Sequence, residues 1–417
     1  MITLAPTGHK KNGGLSLNQE KPGAGKKGDK LKTKLKKIFS LLVLSFLLVI
    51  TLNGSQLKSD EIRTSTVRSS HFLRGINLPY WFWLNQGELQ PLPKRYSAGD
   101  LSLIKTLGFT FVRLPVDMAN IYAPDRDDRL DPAALELLLS GIKIILKSGL
   151  AVNFDLHSIS QKTGGSNYSG PLGQDEKFTA EFINFWQHLA EKLAIFDPDW
   201  LLIEPMNEPV FLFEEYKWPP IQKQLLQAIR EKMPDHTLLA TGALWSNLPG
   251  LLSLQPVDDP NVWYNFHFYD PHLFTHQGAT WGAPYEKDLR QVPYPSSPAA
   301  VEKAISLVED ENLKKYLRTY GEERWDGQKI ETEILKAVDW AEKYGVRLFC
   351  NEFGAYRDYC LPPFRRAWIR DVRLALDKYR ISWAMWEFDG SFGLVFREKG
   401  RAITDKNLAS ALGLKLK

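Results

Sequence analysis

From His71 onward, short apolar runs alternate with longer amphipathic stretches. Eight of the runs have the length and composition of buried strands: 73–78, 109–115, 151–157, 200–207, 237–242, 262–269, 346–352 and 381–387. Most intervals between them carry a helical pattern. It runs over 131–148, with Asp131 as cap and Pro132 at the first helical position, and over 179–196, 218–233, 329–344 and 363–379. Strand and helix in strict alternation predict a parallel sheet flanked by helices, an α/β fold. Eight such units in order are what a closed (β/α)8 TIM barrel requires, here as a single domain over 71–417. The interval between the sixth and seventh strands is long, about 75 residues. It predicts an insertion after the sixth strand, over 271–326, that builds part of one rim.

Composition changes the picture mainly at the N-terminus. The net charge of +4 conceals an uneven distribution: residues 1–37 hold ten Lys against one Glu and one Asp, which is +8, so the rest of the chain is −4. A folded part with net negative charge argues against a nucleic-acid partner. Residues 1–37 are expected to be a disordered Lys-rich tail and 53–70 a polar tether. Between them, 38–52 is apolar and uncharged behind a basic flank, the pattern of a signal peptide or a membrane anchor. Asn53-Gly54-Ser55 is a poor cleavage site, so both readings stand. Either one predicts a folded domain outside the cytosol: secreted, periplasmic or membrane-anchored, with membrane association through 38–52. A monomer is expected. Cys350 and Cys360 could pair or remain free, and no CxxC or HExxH spacing is present, so no metal and no cofactor are expected.

The candidate chemistry lies at the carboxyl ends of the strands. These ends read Arg113, His157, Asn207-Glu208, His267 with Tyr269, Glu352, and Trp386. In a barrel such ends converge on one mouth. Glu208 follows the fourth strand and Glu352 the seventh, so they face one another across that mouth. Two carboxyl groups about 5–5.5 Å apart suit a double displacement at a sugar's anomeric carbon, with retention of configuration. Glu204 and Asp155 lie within strands and read as barrel-interior residues. Trp81, Trp83, Trp245 and Trp281 fall on carboxyl-side loops and are candidate sugar platforms. Asn167-Tyr168-Ser169 fits an N-glycosylation acceptor.

The segment from Leu201 to Pro209, ending Asn207-Glu208-Pro209, resembles the signature of glycoside hydrolase family 5, the cellulase A family; Pro205 is an uncommon occupant of its position. Asn351-Glu352-Phe353-Gly354 resembles the family's nucleophile strand, and His267-Phe268-Tyr269 its His-x-Tyr. Val112-Arg113-Leu114-Pro115 resembles its Arg strand, Asp155-Leu156-His157 its third strand, and Ser382 to Glu387 its Trp strand. The likeness covers about 71–400. It implies Glu208 as acid/base and Glu352 as nucleophile. Arg113, His157, Asn207, His267, Tyr269 and Trp386 would line the site and bind substrate. The implied activity is that of an endo-β-1,4-glucanase acting on a polysaccharide or oligosaccharide. Mannan, xyloglucan, β-1,3-glucan and transglycosylation are alternatives. A non-catalytic carbohydrate-binding barrel and an anchored structural protein are the readings from other classes.

Overall fold

The structure, a computed structural model, describes residues 67–84, 88–159 and 169–416. The tail, the apolar segment and most of the tether (1–66) lie outside the described residues, as do Asn167 and Tyr168 of the glycosylation triplet. Among the described residues no helix is long and apolar enough to cross a membrane.

Eight parallel strands close into a barrel in sequence order. They are β1 (Arg74–Asn77), β2 (Phe111–Asp117), β3 (Ala151–Ser158), β4 (Leu201–Glu204), β5 (Leu238–Thr241), β6 (Val262–Phe268), β7 (Arg347–Phe353) and β8 (Ser382–Met385). Each matches one of the eight predicted runs. A two-stranded antiparallel ribbon, β9 (Val395–Glu398) and β10 (Arg401–Thr404), follows outside the barrel. The helices predicted from sequence are present within a few residues, over Pro132–Lys147, Glu176–Leu193, Trp218–Lys232, Gly327–Tyr344 and Pro362–Lys378. Asp131 caps the first of these by accepting from the Ala134 amide, with Pro132 at its start. The second begins three residues earlier than predicted, because Asp175 caps it by accepting from the Phe178 amide.

Side chains alternate between the two faces of a strand, and here the inward set changes character along the barrel axis. The layer at the amino end is apolar: Phe111, Ala151, Leu202, Leu239, Trp263, Phe349 and Ala384 close the bottom with Phe72. Gly75 belongs to the same layer, and a Cβ there would stand 2.3 Å from the Phe111 ring, so the glycine makes room for the plug. One inward step further, Asn77, Arg113, Asn153, Glu204, Asn265 and Asn351 are all buried and polar. This polar layer supports the mouth.

The predicted insertion lies between β6 and β7. It contains a short helix at His272–Thr275, a 3-10 turn at Glu286–Asp288, and two further helices, Pro298–Ile305 and Glu311–Glu323. Its Tyr294, Val301, Leu313, Leu317 and Tyr320 are buried and belong to the main hydrophobic core. Cys350 and Cys360 are both free and buried. Trp81 is not a platform. It is 2% exposed, packs edge-on against Phe82, and donates its indole N–H to the Gln90 carbonyl, so this tryptophan belongs to the core.

Candidate active site

A cleft of about 970 Å³ opens at the carboxyl ends of the strands. Glu208, Glu352, His157, His267, Tyr269 and Trp386 all line it. Trp83, Trp245 and Trp281 do so as well, so Trp81 alone among the four loop tryptophans lies away from it.

β2 delivers Arg113 to the centre of the polar layer, where its fork is fully used. Nε and Nη2 donate to the two oxygens of Glu204, each at 2.8 Å. Nη1 donates to Asn77 at 3.0 Å and to Glu352 at 2.5 Å, and Nη2 meets Asn207 at 2.6 Å and Asp155 at 3.0 Å. Arg113 is 0% exposed and Asn207 1% exposed. The family resemblance groups both with the substrate-binding residues. Arg113 instead lies beneath the cleft surface, and the carbonyl of the Asn207 amide is taken up by Arg113. The guanidinium gathers three carboxylates because a buried cation without them would be very costly, as would the carboxylates without it.

Glu352 sits at the end of β7, paired in register with His267 of β6 beside an irregularity in the ladder. Its second oxygen accepts from the Tyr269 hydroxyl at 2.8 Å. Burial, and then the Glu352 charge, hold the Tyr269 phenol well above its ordinary range, so it remains a donor. Glu208 lies across the mouth with Oε1 2.7 Å from His267 Nδ1, and that same nitrogen is 3.7 Å from Glu352 Oε2. One carboxylate oxygen of Glu208 and one of Glu352 are within 4.8 Å of each other. Burial pushes the Glu208 carboxyl up to about 8; Arg113 and His272 oppose this and Glu204 adds to it.

His157 Nδ1 contacts Asp155 at 2.6 Å, and its Nε2 faces the Asn207 amide nitrogen at 3.3 Å. Burial lowers the pKa of His157 far below the usual imidazole range. The ring is therefore neutral, with Nδ1–H donated to Asp155. Its face packs against Trp83 (3.9 Å between centroids) and stacks on Trp386 (5.4 Å). Trp83, Tyr356, Trp386 and Phe392 form an aromatic cluster on this side of the cleft.

Three features of the site are not evident in the sequence. Asn77 ends β1 and donates to the Asn351 and Met385 carbonyls, tying β1 to β7 and β8. Glu387, next to Trp386, lines the cleft, and burial pushes it up to about 8. The insertion also brings His272, His276 and Glu286 together at the cleft, a group with the donors to hold a metal ion, where motif spacing alone predicts none. The interval of four between the two histidines is the one local signal of it. Glu208, His267 and Glu352 form a second such group.

The model of the cellulase family (glycosyl hydrolase family 5) matches residues 72–391, and the chain belongs to that family. By that membership it is a glycosidase. Endoglucanase 3 of Fibrobacter succinogenes is 26% identical over 82% of this chain, and the match takes in 53% of that relative, so the chain spans about half its length. Endoglucanase C of Acetivibrio thermocellus is 24% identical over 80% of this chain and 96% of its own. Among solved structures, endoglucanase Cel5A of Thermotoga maritima superposes with a TM-score of 0.64 at 25% identity, covering 83% of this chain and 98% of that one.

Proposed function

We propose that the chain cleaves β-1,4-linked glucan internally with retention of configuration, Glu352 acting as nucleophile and Glu208 as acid and then base. The observation that carries this reading is the pair of carboxylates, with oxygens within 4.8 Å in one cleft and in opposite environments. Inverting enzymes keep their carboxyl groups about 6.5–9.5 Å apart to admit a water. The charge on Glu352 is met by Arg113 and the Tyr269 hydroxyl, whereas Glu208 is held protonated by burial. These are the states that the two roles need at the start of the reaction.

In the first step a Glu352 oxygen bonds to the anomeric carbon. The bond from that carbon to the departing sugar's oxygen breaks, and this oxygen takes the proton from Glu208. Glu208, now ionised, removes a proton from water. The water oxygen bonds to the anomeric carbon and the ester to Glu352 breaks. Asn207 directs its carbonyl to Arg113 and an amide hydrogen to His157, and it offers its second amide hydrogen to the sugar 2-hydroxyl. Trp386, stacked on neutral His157, provides an apolar floor for the reacting ring. Neither step calls for a metal or a redox cofactor.

The choice of glucan rests on the names of the relatives. The Thermotoga maritima protein is described in complex with cellobiose and also with mannotriose, which keeps mannan in the test. The experiment is a product profile on β-1,4-glucan, mixed-linkage glucan, β-1,3-glucan, mannan and xyloglucan, with Glu352→Gln as control and NMR of the newly formed anomer. Turnover of β-1,4-glucan with a β-anomer first, abolished in the control, is the expected result. An α-anomer first would overturn the retaining mechanism, and turnover of mannan alone would overturn the substrate. We further propose that the barrel acts outside the cytosol as a monomer, the targeting signal residing in 38–52. A mature chain recovered from the medium and starting near residue 55 would identify a cleaved signal, and retention in the membrane fraction an anchor.

A further inference from the structure

The segment leaving β6 turns into the short helix His272–Thr275, with His276 as its C-terminal cap. The two histidines, four positions apart, stack with ring centroids 4.3 Å apart and planes 9° from parallel. Glu286, from the 3-10 turn ten residues further on, is buried beneath them with Oε1 3.6 Å from His272 Nδ1. Its other oxygen accepts from the Ala283 amide at 3.0 Å. A Cβ at position 282 would stand 1.9 Å from that oxygen, so Gly282 is what allows the carboxylate into place.

The tautomer of His276 follows from its neighbour. The Thr275 hydroxyl donates its single proton to the Tyr269 carbonyl at 2.5 Å. His276 Nδ1, 3.0 Å from the same hydroxyl oxygen, therefore supplies the hydrogen of that contact, and Nε2 is left with its lone pair. A ring nitrogen oriented by a hydrogen bond on the opposite nitrogen is how metal-binding histidines are usually held. One donor atom from each of the three residues lies within 4.8 Å of the others. Bonds of about 2.0–2.1 Å in a tetrahedral site require donors roughly 3.3–3.5 Å apart. His272 Nδ1 and Glu286 Oε1, 3.6 Å apart, are already near that spacing, and the His272 side chain is 55% exposed.

We propose that His272, His276 and Glu286 form a zinc site in the wall of the cleft. Two imidazoles and one carboxylate suit this ion among the common divalent cations, with water completing the four positions. The ion joins the helix leaving β6 to the loop that carries Trp281 and Tyr285, and so fixes the aromatic wall over the cleft. None of its three ligands belongs to the carboxylate pair, and the ion forms no bond in the cleavage steps.

The test is isothermal titration of zinc chloride into the full chain carrying Glu352→Gln, which removes a ligand from the group Glu208, His267 and Glu352. One site is expected. Adding His276→Ala, or separately His272→Ala, should weaken it at least about 100-fold while leaving the metal-free melting temperature unchanged. Zinc should raise the melting temperature of the parent and of neither histidine variant. Absence of zinc binding in the parent, or binding at parent strength in both histidine variants, overturns the proposal.

Discussion

Arg113 and Glu208 show how burial assigns roles to single residues. Arg113→Met would strand Asp155 and Glu204 in the closed polar layer and leave Glu352, which lines the cleft above it, without its cation. Breaking a buried ion pair from one side costs about 3–5 kcal/mol, and urea unfolding should show at least that loss, together with loss of turnover. A variant as stable as the parent would mean that the carboxylates take up protons at little cost. Glu208 has the opposite problem, a carboxyl group with too little solvation for its charge. Its ordinary value is 4.5, and in the fold it is about 8. Between those values the folded chain holds a proton that the unfolded chain has released, so stability falls as pH rises through this window and levels off above it. Within the window the loss from this one group is about 1.4 kcal/mol per pH unit. Glu387 acts in the same direction, so the comparison that isolates Glu208 is parent against Glu208→Gln. The Gln variant should gain stability relative to the parent between about pH 4.5 and pH 8, and an unchanged gap would refute the burial argument. In the parent, kcat/KM should fall as pH rises past about 8, when the free enzyme loses its acid.

At the scale of elements, two tryptophans that look alike in sequence diverge. Trp81 lies against Gly141 of the helix Pro132–Lys147, where a Cβ would come within 2.1 Å of the indole. Gly141→Ala should therefore cost about 1–3 kcal/mol through overpacking, with turnover per folded molecule unchanged. Trp281 is 50% exposed and sits edge-on to Tyr356 over the cleft. Trp281→Ala should leave the melting temperature unchanged and raise KM for long oligosaccharides more than for short ones; equal effects on both would remove it from the binding surface. The contrast marks what is legible in the sequence. Strand periods, helix caps such as Asp131 and strand-end polar residues are local signals, and they locate β1 to β8 and the lining of the mouth. Whether a loop tryptophan faces inward depends on whether a distant helix presents a glycine, which no local pattern records. The carboxylate partners of Arg113 are legible as strand residues. Their convergence on one guanidinium depends on closure of the barrel and on the β6–β7 register, and spacing along the chain does not encode those. His272 and Glu286 meet for a similar reason, through the path of the insertion between them.

The barrel as a whole depends on its closed end. Polar residues fill the middle layer, so the apolar plug below them must keep water from the ion pairs that hold Glu352. Phe72 is central to that plug and lies just before β1, packed 5.4 Å from Phe111 and edge-on to Trp263. Arg68, also buried, ties the same end together through Asp199, Thr237 and Asn261. These contacts make the residues just before β1 part of the compact unit, which begins at Thr64. A chain beginning at residue 64 should keep the melting temperature of the barrel and its turnover of soluble oligosaccharides. A chain beginning at residue 73 loses both Phe72 and Arg68. Truncating a buried Phe alone costs about 3–5 kcal/mol, so this chain should melt well below the longer one and lose turnover in proportion to the unfolded fraction. Equal melting temperatures for the two chains would show that the plug is dispensable, and that the polar layer keeps its ion pairs without a seal beneath it.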